Sequence, residues 1–175
     1  MKRFAAAVWA SLCIGLAACE KAADISSPLV YDTDGVSFSY PGNWQVTEDT
    51  TEQGFRYVFV ESPGDAIFII QLYQNNFDLS LRQFAEDFSS GARNELTIIG
   101  ISDSTFESIE KAGFSAAIRE RVSLNWAGES IPHIRDYYMR EAGPLIVYVI
   151  AQVATEDLAM VEPGFDLILA SFRVK

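Results

Sequence analysis

Few side chains in this 175-residue sequence could act as nucleophiles, general bases or metal ligands. The cysteines are Cys13 and Cys19, and the single histidine is His133. A hydrolytic metal site would lack its commonest ligand, and a histidine-dependent triad would have to be built around His133. No serine lies in a nucleophile-elbow sequence, and no glycine-rich loop is spaced to hold phosphate. The sequence therefore predicts no catalytic residues, no metal site and no cofactor.

The acidic residues give no second candidate for a metal site. Asp32 and Asp34 in "DTDG" resemble the start of a calcium loop, but Val36 stands where the next oxygen ligand is needed. We expect an Asp-Gly turn there instead. His133 is expected on a sheet face with an ordinary polar partner.

Five charged residues lie in segments with the alternating pattern of strands. They are Arg119, Glu120, Arg121, Arg135 and Asp136. Opposite charges on neighbouring strands stabilise a sheet when they face each other. We predict that these residues form cross-strand pairs on a solvated face, and we have no spacing argument for catalysis by Glu120 and Asp136.

The first eighteen residues have the layout of a secretory signal. Lys2 and Arg3 precede an apolar stretch from Phe4 to Ala18 that is interrupted only by Ser11. A helix of that length reaches roughly 22 Å, whereas the hydrocarbon core of a bilayer is about 30 Å thick. We therefore expect a segment that is removed and not a membrane span.

The end of this segment, Leu16-Ala17-Ala18-Cys19, resembles the lipobox of bacterial lipoproteins. The resemblance implies cleavage between Ala18 and Cys19, a diacylglyceryl group on the sulfur of Cys19, and acylation of the new amino group. Two or three acyl chains hold a protein durably at a membrane. The alternative is an ordinary signal whose cysteine is incidental.

Composition limits what the mature protein can bind. The chain has 13 Lys and Arg against 24 Asp and Glu, a net charge of −11, and loss of Lys2 and Arg3 would make it more acidic. Acidity of this size disfavours nucleic acid and anionic head groups. No pair of cysteines would remain to form a disulfide. We predict a signal peptide over 1–18, a flexible tether over 19–28 after lipidated Cys19, and a single domain over 29–175.

Hydrophobic periodicity predicts a mixed domain of strands and two helices. Leu81, Phe84, Ala85 and Phe88 share one helical face, and Ser80 with Gln83 forms a capping box. A second helical pattern follows Pro163. Strands are predicted at 36–40, 56–62, 66–74, 97–102, 104–110, 114–126, 129–141 and 144–154. The apolar run "LIVYVIAQV" indicates a central strand, and the grouping predicts an antiparallel sheet with helices packed on it.

The order of these motifs resembles the PsbP-like fold, which is shared with the bacterial lipoprotein DcrB and a nuclear Ran-binding protein. The resemblance is carried by "FSYPGNW", the hairpin ending "QLYQN", the helix "LSLRQFAEDF" and the final "LASF", and it covers 35–174. It implies an α+β fold in which an antiparallel β-sheet is flanked by helices, an α/β/α sandwich. It also implies accessory binding in place of catalysis.

Aromatic residues near turns are the candidates for contact with a partner. Trp126 precedes a predicted hairpin turn, and tryptophan is enriched in interaction hot spots. It is the possible partner contact, although it could instead pack back onto the sheet. Tyr40, Pro41 and Trp44 could form an exposed shelf, but the resemblance places them at the closed end of the core.

These observations predict a lipid-anchored protein of the bacterial cell envelope that faces the periplasm. Its partners would be the membrane, through the lipid on Cys19, and an unidentified protein. Because Glu20 and not Asp follows Cys19, the sorting rules of Gram-negative bacteria favour the outer membrane. The alternative function is a carrier of a small apolar or metal ligand in a pocket between sheet and helices.

Overall fold

The computed structural model describes residues 22–52, 54–74, 79–95 and 100–175. The strands of these residues pair into two sheets. The smaller sheet has the order β1-β2-β10, and the larger has the order β3-β4-β5-β9-β8-β7-β6. Every strand pairing among the described residues is antiparallel. The elements are β1 Leu29–Thr33, β2 Val36–Tyr40, β3 Gln45–Glu52, β4 Phe55–Glu61, β5 Ile67–Gln74, α1 Leu81–Glu95, β6 Gly100–Ile109, β7 Ala116–Trp126, β8 Glu129–Ala142, β9 Leu145–Ala154, α2 Leu158–Ser171 and β10 Arg173–Val174.

The helices cover opposite faces of the seven-stranded sheet. Helix α1 packs on the face that carries Ile118, Tyr137, Tyr148 and Ile150. Helix α2 and the small sheet cover the other face, where Val149 and Tyr138 belong to the larger core cluster. Strand β9 is the fourth of seven and is buried along most of its length, as its apolar run predicts. The predicted α+β architecture, an antiparallel sheet between helical layers, is confirmed.

The start of α1 follows the local signal in the sequence. The hydroxyl of Ser80 accepts a hydrogen bond from the backbone N–H of Gln83 at 3.3 Å, and the Gln83 side chain accepts one from the Ser80 N–H at 3.3 Å. This reciprocal capping box satisfies two N–H groups that a helix end leaves without partners. Leu81 and Phe84 then point into the core.

The prediction of separate strands at 97–102 and 104–110 is wrong in the described part. One strand, β6, runs from Gly100 to Ile109, and its pairing with β7 shifts between Ser102 and Thr105. Asp103, with a φ of 54°, sits in this bulge. A short polar run at a bulge has the composition of a turn, so the sequence pattern does not distinguish the two. Residues 97–99 lie outside the described residues.

The sequence pattern does not predict three strands, β1, β3 and the two-residue β10. Each lies at the edge of its sheet. Strand β3 has the sequence QVTEDTTE and is exposed at alternate positions. Edge strands bury little apolar surface, so their hydrophobic signal is weak.

Helix α2 begins earlier than the pattern after Pro163 predicts. It starts at Leu158, so Pro163 lies inside it. An internal proline removes one backbone hydrogen bond and costs about 3 kcal/mol. The additional turn places Val161 in the core with 0% exposure. Burial of such a side chain contributes about 1.5–3 kcal/mol, which offsets much of the cost.

Residues 22–28, part of the predicted tether, form an irregular segment that we call the N-terminal strap. The N–H of Ala23 donates to the carbonyl of Met160 at 3.0 Å, and the N–H of Asp24 donates to Oδ1 of Asn43 at 2.9 Å. The N–H of Gly42 donates to the carbonyl of Asp24 at 2.9 Å. The strap is therefore attached to the domain. Of the predicted tether, 19–21 lie outside the described residues, as does the signal over 1–18.

Neither α1 nor α2, the helices of the described residues, has the length and apolar character needed to cross a membrane.

We predict opposite effects on stability from the same substitution in the two helices. A methyl group at Gly164 would lie 2.8 Å from both Pro41 Cγ and Trp44 Cζ2 and 2.9 Å from Ala23 Cβ. Gly164→Ala should lower the free energy of unfolding by about 1–3 kcal/mol, because overpacking strains a close-packed core. A methyl group at Gly91 would have no other atom within 4 Å, apart from its own helix backbone and chain neighbours. Gly91→Ala should therefore raise stability by up to about 1 kcal/mol, since alanine is the better helix former.

Urea denaturation of both variants and the parent chain measures these changes. A neutral or stabilising Gly164→Ala would show that the contact between α2 and the Pro41–Trp44 turn is loose.

Candidate functional site

Glu120 of β7 is a fully buried carboxylate that accepts four hydrogen bonds. Its Oε1 accepts from the hydroxyls of Ser89 on α1 and Ser104 on β6, each at 2.6 Å. Its Oε2 accepts from Nη1 of Arg135 at 2.9 Å and from the Tyr137 hydroxyl at 2.7 Å. The carboxylate therefore joins the helix and three strands at one point, which we call the Glu120 cluster.

Arg135 of β8 is the cation of this cluster and is 2% exposed. Register places Glu120 opposite Arg135 and Arg135 opposite Gln152, so the three side chains form one row across β7, β8 and β9. Nε of Arg135 donates to Oε1 of Gln152 at 2.7 Å, and the guanidinium lies 5.2 Å from the ring centre of Phe88 on α1. A carboxylate, a guanidinium and a phenol could serve acid–base chemistry. Here their hydrogen-bonding groups are used internally and are shielded from solvent.

A second ion pair lies on the opposite face of the same strands. Arg119 donates from Nε to Oδ1 and from Nη2 to Oδ2 of Asp136, both at 2.7 Å. Tyr138 donates to the same Oδ2 at 3.1 Å. Burial raises the pKa of the Tyr138 hydroxyl, so the phenol stays protonated and remains a donor.

The prediction that all five charged residues lie on a solvated face is wrong for three of them. Glu120, Arg135 and Asp136 are buried, because α1 covers the face that carries Glu120 and Arg135, while Asp136 on the opposite face lies against Arg119 and Tyr138. Arg121 does pair in solvent with Glu107, at 2.9 Å and with both side chains about half exposed. The predicted cross-strand pairing is correct, since Glu120 faces Arg135 and Arg119 faces Asp136. Alternation indicates that these charges pair across strands but does not reveal which partners meet or which side chains are buried.

His133 has the ordinary polar partner that the sequence pattern indicates. Its side chain is 7% exposed, and Nδ1 donates to the carbonyl of Ile131 at 3.0 Å in the tautomer that this contact requires. Burial, with a smaller contribution from the charge of Arg135, lowers the pKa of His133 below its ordinary value of 6.5. The neutral ring is the form that fits the folded protein.

Trp126 lies at the tip of the hairpin formed by β7 and β8. The turn residues Ala127 and Gly128 both have positive φ, 52° and 88°, which glycine adopts without strain. Pairing of β8 with β9 begins at His133, so the hairpin extends beyond β9. Large hydrophobic side chains are exposed at four described positions: Ile25 (50%), Leu29 (45%), Val30 (71%) and Trp126 (42%).

The Pro41–Trp44 turn closes one end of the core, as the resemblance implies. Trp44 is 1% exposed and packs edge-on against Phe165 of α2, with ring centres 5.4 Å apart. Its indole N–H is buried and has no hydrogen-bond partner among the described residues. An exposed aromatic shelf formed by Tyr40, Pro41 and Trp44 is therefore not present.

A cleft of about 290 Å³ lies where the two sheets meet. Apolar side chains including Val36, Phe55 and Leu72 line it, and the cations at its wall are Arg56 and Lys175. Both cations have acidic partners within the chain. Lys175 pairs with Asp32 at 2.6 Å, and Arg56 pairs with Asp49 at 2.7 Å. Between the sheet and the helices, the described residues form two packed core clusters, and the predicted ligand pocket there stays a prediction.

Arg56 holds the two sheets together beside this cleft. It binds both carboxylate oxygens of Asp49 on β3, at 2.7 and 2.8 Å, and the Tyr31 hydroxyl on β1 at 2.6 Å. It also donates to the carbonyls of Thr33 and Asp34 in the Asp-Gly turn, where Asp34 and Gly35 have positive φ. The sequence pattern does not reveal this group, because it does not predict β1 and β3, the strands that position Tyr31 and Asp49.

Ala18 and Cys19 lie outside the described residues, so cleavage and lipidation stay predictions. Within the described part of the chain, no three His, Cys, Asp or Glu side chains are grouped as a metal ion would require.

Comparison with known proteins identifies the fold. No family model matches the sequence, and no curated protein sequence does. The solution structure of cyanobacterial PsbP (CyanoP) from Synechocystis is similar, with a TM-score of 0.54 and 16% identity over 86% of this chain and 94% of that chain. At this identity the likeness shows the fold alone, and it confirms the predicted PsbP-like domain.

Two other solved structures are more distantly similar. LpqN, involved in cell envelope biogenesis of Mycobacterium tuberculosis, has a TM-score of 0.46 and 10% identity over 85% of this chain and 90% of that chain. The Saccharomyces cerevisiae Ran-binding protein Mog1p has a TM-score of 0.45 and 12% identity over 85% and 96%.

We predict that Glu120→Gln is strongly destabilising. It leaves the buried guanidinium of Arg135 without its counter-charge, and breaking a buried pair in this way costs about 3–5 kcal/mol. Glu107→Gln is the matched control, because Glu107 also pairs with an arginine of a facing strand but in solvent. It should cost less than about 1 kcal/mol. Urea denaturation measures both, and equal losses would show that the Glu120 cluster does not stabilise the fold.

We predict that His133 makes the protein less stable as the pH falls. Because the pKa of His133 is lower in the folded than in the unfolded chain, the unfolded chain binds the proton first. The contribution is complete above pH 6.5 and is lost as the pH falls from there towards the folded-state pKa. His133→Gln should have a flatter dependence between about pH 6.5 and 5. Thermal unfolding at closely spaced pH values tests this, and parallel curves would contradict it.

Proposed function

We propose that this chain is a lipid-anchored protein of the bacterial cell envelope whose PsbP-like domain binds a partner protein and performs no chemistry of its own. The proposal that the domain performs no chemistry rests on the burial of the Glu120 cluster. Its members could serve as acid, base and anion-binding group, yet Glu120 and Arg135 are 0% and 2% exposed and their hydrogen bonds are made within the domain. Ser89 of α1 and Ser104 of β6 both bond the same oxygen of Glu120, so a substrate would have to displace partners that the carboxylate already has.

The anchor is argued from the sequence at Leu16-Ala17-Ala18-Cys19. Acylation of Cys19 holds the domain at a membrane surface, and the signal directs it to the periplasmic side. The acidity of the chain favours a protein partner with a neutral or basic surface over nucleic acid.

Trp126 is the proposed contact with that partner. Its side chain is 42% exposed at a hairpin tip that extends beyond β9. Such a tryptophan has a large apolar surface and an N–H donor, which is the combination found at the centre of many interfaces. A tip also reaches a partner without rearrangement of the sheet.

Photo-crosslinking in living cells tests this contact. A photoreactive amino acid replaces Trp126 in one variant and Thr105, which is exposed on edge strand β6, in the control. We expect one discrete crosslinked protein from position 126 and a weaker or diffuse pattern from position 105, because only the tip is proposed to touch the partner. Mass spectrometry of the N-terminal peptide determines whether Cys19 is acylated.

The proposal fails if position 126 captures nothing specific while the acylated protein is present in the membrane fraction. The carrier function has less support, because the described residues form packed core clusters between the sheet and the helices. A small molecule retained in native mass spectrometry of protein from its own host would favour the carrier.

A further inference from the structure

The N-terminal strap fixes where an anchor at Cys19 would meet the domain. Ala23 is held by its hydrogen bond to Met160 of α2. The strap also lies directly against the Pro41–Trp44 turn, since a side chain at Gly42 would come within 2.4 Å of the Ser27 carbonyl oxygen. The chain is therefore attached to the domain from Ala23 onward and cannot act as a long tether there.

The distance from the anchor to the domain is short. Glu20, Lys21 and Ala22 alone separate Cys19 from Ala23. Even a fully extended chain spans at most about 14 Å between these two residues. The polar layer on each side of a bilayer is roughly 5–8 Å thick. Ala23 would then lie no more than about 9 Å above the polar layer, which keeps the region around the strap at the membrane surface.

Exposed apolar side chains are concentrated in that region. Ile25, Leu29 and Val30 lie within six residues of one another, and the other exposed large hydrophobic of the described chain is Trp126. Leu29 and Val30 belong to β1, the outer strand of the small sheet, so no further strand covers them among the described residues. Successive residues of a strand point to opposite faces, so Leu29 and Val30 would both approach a membrane at the free edge of β1.

We propose that Ile25, Leu29 and Val30 lie in the interfacial layer of the bilayer that holds the acyl chains of Cys19. The inference rests on the proposed lipid anchor and adds the orientation of the domain. The contact is apolar, since the three side chains carry no charge and Asp24 beside them disfavours anionic head groups. Tyr31 of β1 donates to Asp49 of β3, and β3 is the edge of the large sheet opposite β6. When β1 faces the membrane, the side of the sheet that carries Trp126 is therefore left for a partner.

A solvent-sensitive fluorophore on an introduced cysteine reports this orientation. Val30→Cys and the control Thr105→Cys are made in the full chain, expressed in a bacterium that acylates lipoproteins, and labelled. Cys13 leaves with the signal and the thiol of Cys19 is acylated, so the introduced cysteine is the free thiol. Both side chains are exposed, so neither substitution disturbs the core. In phosphatidylcholine vesicles the probe at 30 should shift to the blue, and brominated lipid should quench it several-fold more than the probe at 105.

The outcomes separate the inference from the proposed function. If Cys19 is unmodified and the protein does not float with vesicles, both fail. If the acylated protein floats but the two probes report equal exposure to water, the inference alone fails. It also fails if the probe at position 30 shifts to the blue in detergent, without a bilayer, and light scattering shows that the protein has dimerised. A second copy of the chain would then cover β1.

Discussion

The burial of one carboxylate constrains half of this domain. Removing Glu120 from water is costly, and the cost is offset only when its oxygens are fully bonded and a cation lies beside it. Ser89, Ser104, Tyr137 and Arg135 meet that requirement from α1, β6 and β8. Helix position, edge-strand position and strand register are thus tied to one group. A shift of any of these elements would leave a buried charge without a partner.

On the other face, close packing positions α2 against the Pro41–Trp44 turn, beside the ion pair of Arg119 with Asp136. Gly164 lets α2 approach the Pro41–Trp44 turn, and Ala23 of the strap packs at the same point. The small sheet joins the large one through Arg56, which binds Asp49 and the turn after β1. This face therefore connects the N-terminus to the core. An anchor at Cys19 would therefore hold the domain through the strap, which packs closely against α2 and the Pro41–Trp44 turn.

These constraints explain why the proposed function is one of contact. The groups capable of acid–base chemistry are used to hold the fold, and α1 and α2 pack against the sheet. What remains for interaction is on the surface. Trp126 on one side of the sheet and the apolar residues of the strap and β1 on the other could serve a partner and a membrane at the same time.

Local sequence patterns predict the features that depend on neighbouring residues. The capping box at Ser80, the Asp-Gly turn, the central strand β9 and the cross-strand pairing of charges on β7 and β8 are indicated by local pattern, because alternation and turn chemistry act over a few residues. Whether a charged side chain is buried depends on what covers its face, which comes from distant parts of the chain. Only the tertiary structure could therefore place Glu120 and Arg135 inside, bring Tyr31 to Asp49, and attach the strap to α2.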